Sequence, residues 1–200
     1  MYKKELKDKI NLELIRNFSE NIKINDLIKK ALQKFKISEV NEERFLSYHF
    51  PDGIYDVINS FNDILNKQMQ KSIDRDFERL RVSEKISFLL FFRINLLESY
   101  NLNNRNLILF LLRPQNIYFS NKLAFKIADE IWYRAGDKSL DFNYYSKRVI
   151  LMNIYIFSLF FWLQDKSNEK LKTKEFILKQ IKNTSKIGTI KSKIKQLFQF

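Results

Sequence analysis

The chain has 200 residues, no cysteine, 3 Gly, 2 Pro and a formal net charge of +13. Its 45% apolar content is enough for a substantial core and argues against disorder. The absence of cysteine excludes disulfides, thiolate metal sites and a cysteine nucleophile, and suits a reducing compartment. So little Gly and Pro leaves few of the breaks that sheets and long loops need, which points to an all-α protein.

From the amino terminus, Leu6, Ile10, Leu14 and Phe18 share one helical face and predict a helix over 4–18. The opening "MYKKELKDKINLELIRNF" has no secretory apolar core and carries acids that transit peptides avoid, so it reads as a mature helix. A second helix over 24–36 carries Leu27, Ile28, Ala31, Leu32 and Phe35, and a third candidate runs from Ser38 to Tyr48. After "YHFPDG", with Asp52 as N-cap, the positions Ile54, Val57, Ile58, Phe61, Ile64 and Leu65 mark a long helix toward the mid-70s. Asp74, Asp76 and Glu78 alternate with Arg75 and Arg79, the pattern of a solvated face.

Further helices are predicted at 82–99, 103–112, 117–134, 140–164 and 168–187. Pro114 ends one of them, and Gly136 and Gly188 are C-terminal stops for two others. The apolar run Val149–Leu163 is shorter than the ~20 residues of a membrane-crossing helix and reads as a buried central helix. From Asp165 onward, ten Lys face only Asp165, Glu169 and Glu175, so much of the positive charge gathers at the carboxy terminus. In "IGTIKSKIKQLFQF", Ile190, Ile194, Leu197 and Phe198 share a face while Lys191, Lys193 and Lys195 lie on the others. That composition suits an anionic membrane surface, or alternatively docking on the protein's own body. Burying four such side chains and ordering the segment nearly cancel, so attachment is expected to be reversible and to need two tails in a dimer.

Three short helices, then Tyr48, Phe50, Pro51, Asp52 and Gly53, then a long connecting helix, resemble the amino-terminal half of TetR-type regulators, with their helix-turn-helix. A DNA-reading helix lies close to two phosphate backbones and needs positive charge. The candidate from Ser38 to Tyr48 sets Glu39, Glu42 and Glu43 against Arg44. Nucleic acid is therefore not the expected partner, and the helix-turn-helix is read as degenerate.

No catalytic constellation is visible. His49 is the single histidine and lies between aromatics, which fits a packed residue better than a catalyst and excludes paired-His metal sites. Neither a nucleophile elbow nor a Gly-rich phosphate loop occurs. No cofactor or metal is expected.

"LLRPQNI" (111–117), "ADEIWYRAGDKSLDFNYYSKR" (128–148) and "WLQDKS" (162–167) together resemble the carboxy-terminal domain of the Coq-nine family of ubiquinone-biosynthesis proteins. The likeness covers roughly residues 80 to 190. It implies a TetR-like, lipid-binding homodimer that assists the di-iron hydroxylase of the pathway without being an enzyme, presenting it with a quinone intermediate. It also implies that Asp141, Tyr144 and Tyr145 form the patch that contacts the hydroxylase; Tyr144 stands where the family pattern has Trp. The alternative for Asp141 is to cap the following helix while the tyrosines pack.

An apolar pocket for an isoprenoid lipid would draw on the surplus aromatics Phe88, Phe92, Trp132, Phe157, Phe161 and Trp162, which serve equally well as core. The organisation expected is a helix-turn-helix-like region over 1–51, a helical lipid-binding and dimerisation domain over 52–187 and an amphipathic membrane-surface helix over 188–200. The location expected is the bacterial cytoplasm, peripheral to the inner membrane, or the matrix side of the mitochondrial inner membrane in a eukaryote. Other readings are a TetR-type repressor responding to an apolar ligand and a general lipid carrier.

Overall fold

A computed structural model of the chain describes residues 2–19, 23–37, 41–100 and 104–197, with the side chains of residues 2, 3, 104, 141 and 185–197 left aside. Among the described residues all regular structure is helical. Ten α-helices follow one another: α1 (Tyr2–Arg16), α2 (Ile24–Lys34), α3 (Glu42–His49), α4 (Ile54–Lys71), α5 (Arg75–Arg79), α6 (Val82–Ser99), α7 (Asn104–Leu111), α8 (Ile117–Arg134), α9 (Asp141–Gln164) and α10 (Leu171–Leu197). Short 3-10 turns at Pro114–Asn116 and Asn168–Lys170 precede α8 and α10.

The chain divides into two compact units, residues 1–70 with 95–123, and residues 71–94 with 124–200. In the first, α1 packs on α2 and α2 on α3. Ile10, Leu14, Leu27, Ile28, Leu32 and Phe45 are buried there, as the helical spacing of apolar residues requires. Polar ties complete this core. Asn11 Nδ2 donates to the Val57 carbonyl at 2.8 Å, and Lys34 Nζ donates to both Glu13 oxygens at 2.8 Å. The Asn of the "PQN" element has the same kind of role. Asn116 is buried, accepts from the Tyr55 hydroxyl at 2.7 Å and donates to the Phe110 carbonyl at 2.7 Å.

In the second unit α10 packs along α9. Leu151, Ile154, Tyr155, Trp162, Ile177 and Ile181 are buried, and Ser158 returns its hydroxyl to the Ile154 carbonyl at 2.7 Å. The exposed positions of α9 include Phe142, Tyr145, Val149, Ile150, Phe157 and Phe161, so the expected central helix is buried on one side only. Over Phe142–Gln164 it is long and apolar enough, by length and composition, to cross a membrane, and a third of that window is buried. The difference arises because apolar composition fixes how much surface seeks cover, while the neighbours available decide how much receives it.

Three other expectations change. The helix toward the mid-70s ends at Lys71, and a separate helix, α5, follows. Asp74 caps it by accepting from the Phe77 N–H at 2.8 Å; at 5 residues it is too short to show a period, although its charges are exposed as read. At the start of α4 the bond runs opposite to a cap by Asp52: the Asp56 carboxylate accepts from the Asp52 N–H at 2.7 Å. Finally, Gly188 does not stop a helix, because the α10 backbone continues to Leu197.

Gly136 does end α8, at φ +86, with nothing within 4 Å of an added Cβ. Its replacement by Ala meets no steric obstacle and carries only the backbone penalty of a left-handed L-residue. Gly136→Ala should therefore destabilise the fold by about 1 kcal/mol, read as a shift of the urea midpoint with an unchanged slope.

Candidate functional site: an aromatic face and an apolar groove

Between α8 and α9 lies the loop "AGDKSL", and its single acid organises the whole junction. The Asp137 side chain is only 5% exposed, and its carboxylate accepts from Lys147 Nζ at 2.7 Å, Arg148 Nη1 at 2.6 Å and Ser139 Oγ at 2.6 Å. Burial alone would raise its pKa; these three donors outweigh burial and hold the carboxyl well below the usual carboxylate range. Arg148 is also buried and bridges to Asp129 on α8, Nε to Oδ1 at 2.9 Å. Burial would lower the Arg148 pKa, but its bonds to Asp137 and Asp129 carry it upward instead, so it stays charged.

The two tyrosines stand on this base. The Tyr144 hydroxyl donates to Asp129 Oδ1 at 2.8 Å, and that bond to an anion raises its pKa. Its ring lies 3.7 Å from Arg148 Cζ and meets the Tyr145 ring edge to face, centroids 5.1 Å apart. Tyr145 is 61% exposed and Phe142 79%, so the first turns of α9 present bare aromatic surface. Leu140 occupies the N-cap position and Asp141 is the first helical residue; the Asp141 side chain lies outside those described.

Farther along α9, a groove of about 1150 Å³ opens against α10. Ile150, Ile154, Phe157, Phe160, Phe161 and Phe176 supply its apolar wall, and Lys166, Lys172 and Gln180 are among its polar residues. Phe161 stacks on Phe176 with centroids 4.8 Å apart.

Of the six aromatics proposed for lipid, Phe157 and Phe161 line this groove; Phe88, Phe92, Trp132 and Trp162 do not. Phe88 stacks on Phe92 and contacts Phe77. Trp132 donates from Nε1 to the Lys147 carbonyl at 3.1 Å beneath the Lys147 ammonium. Trp162 is buried, with Lys170 Nζ 5.9 Å from its ring. The sequence reading passed over Phe176, whose signal is only its place on the helix that follows "WLQDKS".

Asp165, which also lines the groove, builds the turn from α9 into α10. Its carboxylate accepts from the backbone N–H and hydroxyl of both Ser167 and Thr173, at 2.6 to 2.8 Å, and these bonds overcome burial to hold its pKa well below the usual range. They fix the turn in which Glu169 and Lys170 take φ +49 and +55.

Of the residues proposed for the membrane surface, Ile190, Lys191, Lys193, Ile194, Lys195 and Leu197 follow the α10 backbone, with side chains outside those described, and Phe198 lies outside the described residues. In the first unit, His49 packs among rings, 4.5 Å from Phe45 and 4.7 Å from Tyr48. Among the described residues no group of three His, Asp or Glu is placed to hold a metal ion.

Residues 117–188 match the model of the COQ9 (Coq-nine) family. The chain is 29% identical over 133 residues to the Drosophila melanogaster "Ubiquinone biosynthesis protein COQ9, mitochondrial", covering 64% of this chain and 41% of that protein. Against the probable Dictyostelium discoideum coq9 protein it is 27% identical, covering 72% and 48%, and against human COQ9 it is 32% identical, covering 42% and 27%. The chain thus spans less than half the length of these COQ9 relatives. Its fold is TetR-like. A TetR transcriptional regulator from Nitrosomonas europaea superposes with a TM-score of 0.61 at 17% identity, covering 92% of this chain and 99% of that one. The matched segment contains every described residue that lines the groove and the Asp137–Arg148–Tyr144 network.

Because the folded Asp137 pKa is depressed, its stabilisation is present above the unfolded value near 3.9 and is lost as pH falls through the folded one. The tyrosine near-UV dichroism should therefore be constant from pH 8 to about 5 and change only below about 4. Asp137→Asn, which leaves a buried guanidinium short of an anion, should cost about 3 kcal/mol of stability at pH 7, measured by denaturant titration.

Proposed function

We propose that the chain acts in ubiquinone biosynthesis as a non-catalytic, lipid-binding accessory protein that presents a quinone intermediate to the di-iron demethoxyubiquinone hydroxylase at a membrane surface. The observation that carries this reading is a coincidence of location. The segment that matches the COQ9 family model, 117–188, holds both an apolar groove of about 1150 Å³ and, a few turns away on the same helix, the exposed aromatic face.

A groove walled by isoleucine and phenylalanine takes apolar ligands by desolvation, and its size accommodates an isoprenoid chain. Exposed tyrosine on a rigid helix suits a protein contact, because a flat ring with a polar tip buries much area while ordering few torsions. The hydroxylase as partner, the homodimer and the attachment of 188–200 to an anionic membrane belong to this proposal. So does the place of action, the matrix side of the inner membrane in a eukaryote or the equivalent cytoplasmic face in a bacterium. The repressor reading rests on the fold alone, and Glu42 and Glu43 in the first turn of α3 weigh against contact with phosphates.

The decisive experiment is the quinone profile, by mass spectrometry, of cells lacking the protein and of the same cells complemented with it. Accumulation of the demethoxy intermediate, relieved by the wild type, is expected; an unchanged profile removes the proposal. Tyr145→Ala and Asp141→Lys should reduce co-purification with the hydroxylase at least tenfold while helicity stays constant. Phe157→Asp should reduce binding of a long-chain quinone analogue and spare that co-purification. Deletion of 189–200 should abolish sedimentation with anionic liposomes.

A further inference from the structure

Arg148 is placed where a partner cannot reach it, with 3% of its side chain exposed, yet its guanidinium touches both carboxylates beneath the aromatic face and the Tyr144 ring. It joins three segments: Asp129 on α8 at 2.9 Å, Asp137 in the loop at 2.6 Å, and on α9 the Tyr144 carbonyl at 3.3 Å. The Tyr144 ring lies 3.7 Å from Arg148 Cζ, and the Tyr144 hydroxyl donates to the same Asp129 oxygen that Arg148 Nε holds. Tyr144 is therefore gripped at the face of its ring and at its tip, and the same guanidinium governs both holds. Tyr144 in turn supports the exposed Tyr145 edge to face.

We infer that Arg148 is a positioning residue for this surface: it makes no contact with the partner, and it presets Tyr144, and Tyr145 through it, in the geometry in which a partner protein docks. The inference rests on the reading of Tyr144 and Tyr145 as a docking face.

Presetting matters because a contact ring that is already ordered loses no rotamer freedom on binding. Lysine cannot replace arginine here. An ammonium is a compact point charge, whereas the planar guanidinium answers two carboxylates on different segments and stacks on a ring at once. The local charges make the distinction testable. Asp129 and Asp137 are balanced by Lys147 and Arg148, so Arg148→Lys preserves the charge and removes only the geometry.

The test uses the full chain labelled with 3-fluorotyrosine, the Tyr144 resonance being assigned from Tyr144→Phe. Wild type and Arg148→Lys are compared in three measurements: the position and width of that resonance without any partner, affinity for the purified hydroxylase, and binding of a long-chain quinone analogue to the groove. The expected result for Arg148→Lys is a shifted or broadened Tyr144 resonance and affinity for the hydroxylase weaker by tenfold or more, with quinone binding unchanged. An unmoved resonance with wild-type affinity overturns the inference, as does an equal loss of both binding activities, which would mark Arg148 as merely structural.

If the wild type itself fails to bind the hydroxylase, the partner reading falls by itself. The resonance then decides the presetting, supporting it if moved and overturning it if not. Should Arg148→Lys fail to fold, Asp129→Asn takes its place. It leaves Arg148 bonded to Asp137 and removes the charge of the oxygen that Arg148 Nε and the Tyr144 hydroxyl share, and the same shift and affinity loss support the inference while wild-type values overturn it.

Discussion

A guanidinium can be buried only where anions meet it in a fixed geometry, and at Arg148 two carboxylates do so. Much of the second unit follows from that requirement. Asp129 must face α9 from the flank of α8, and Asp137 must return toward α9 as soon as α8 ends. Gly136 makes that return by taking φ +86, which lets the chain reverse within one residue. Lys147 then completes the charge balance, and Trp132 beneath it donates to the Lys147 carbonyl. The aromatic face is built on an electrostatic joint that presents none of its buried parts to solvent.

The far end of α9 repeats the device with a different donor set. Asp165 gathers hydroxyls and backbone N–H groups instead of a cation, and holds the turn into α10 although two consecutive non-glycine residues there adopt left-handed conformations. Such conformations cost free energy and persist where surrounding bonds over-determine them. The two motifs flanking α9 thus build joints, while the surface they leave uncovered carries the tyrosines and the groove. One helix serves as anchor, face and wall because its ends are fixed independently of its exposed side.

The first unit illustrates the separation of fold from function. Its helices pack as in a TetR regulator, and that likeness at 17% identity concerns architecture. Core positions such as Ile10, Ile28 and Phe61 maintain the packing whatever the surface does. The first turn of α3 carries Glu42 and Glu43, whereas a helix that reads DNA needs cations beside the phosphates. His49 follows the same logic, spending its ring on packing against Phe45 and Tyr48.

The helical class and the bounds of α6 and α8 were legible in the residues themselves, since apolar spacing and turn chemistry are local. The COQ9-like motifs were legible for the same reason, as runs of uncommon residues in order. Five-residue α5 was not, being too short for a period, and neither was the continuation of α10 through Gly188, where one helix-breaking residue is outweighed by its flanks. Which aromatics line the groove was decided by tertiary structure alone: Phe157, Phe161 and Phe176 open onto it, whereas Phe88, Phe92 and Trp132 are occupied with other neighbours. Composition states that a surplus of rings exists, but whether a ring becomes wall or core depends on what packs against its other face. Arg148 shows the same limit most sharply. In the sequence it is one cation among many, and only the approach of α8 and the loop to α9 removes it from water and makes it the centre of the site.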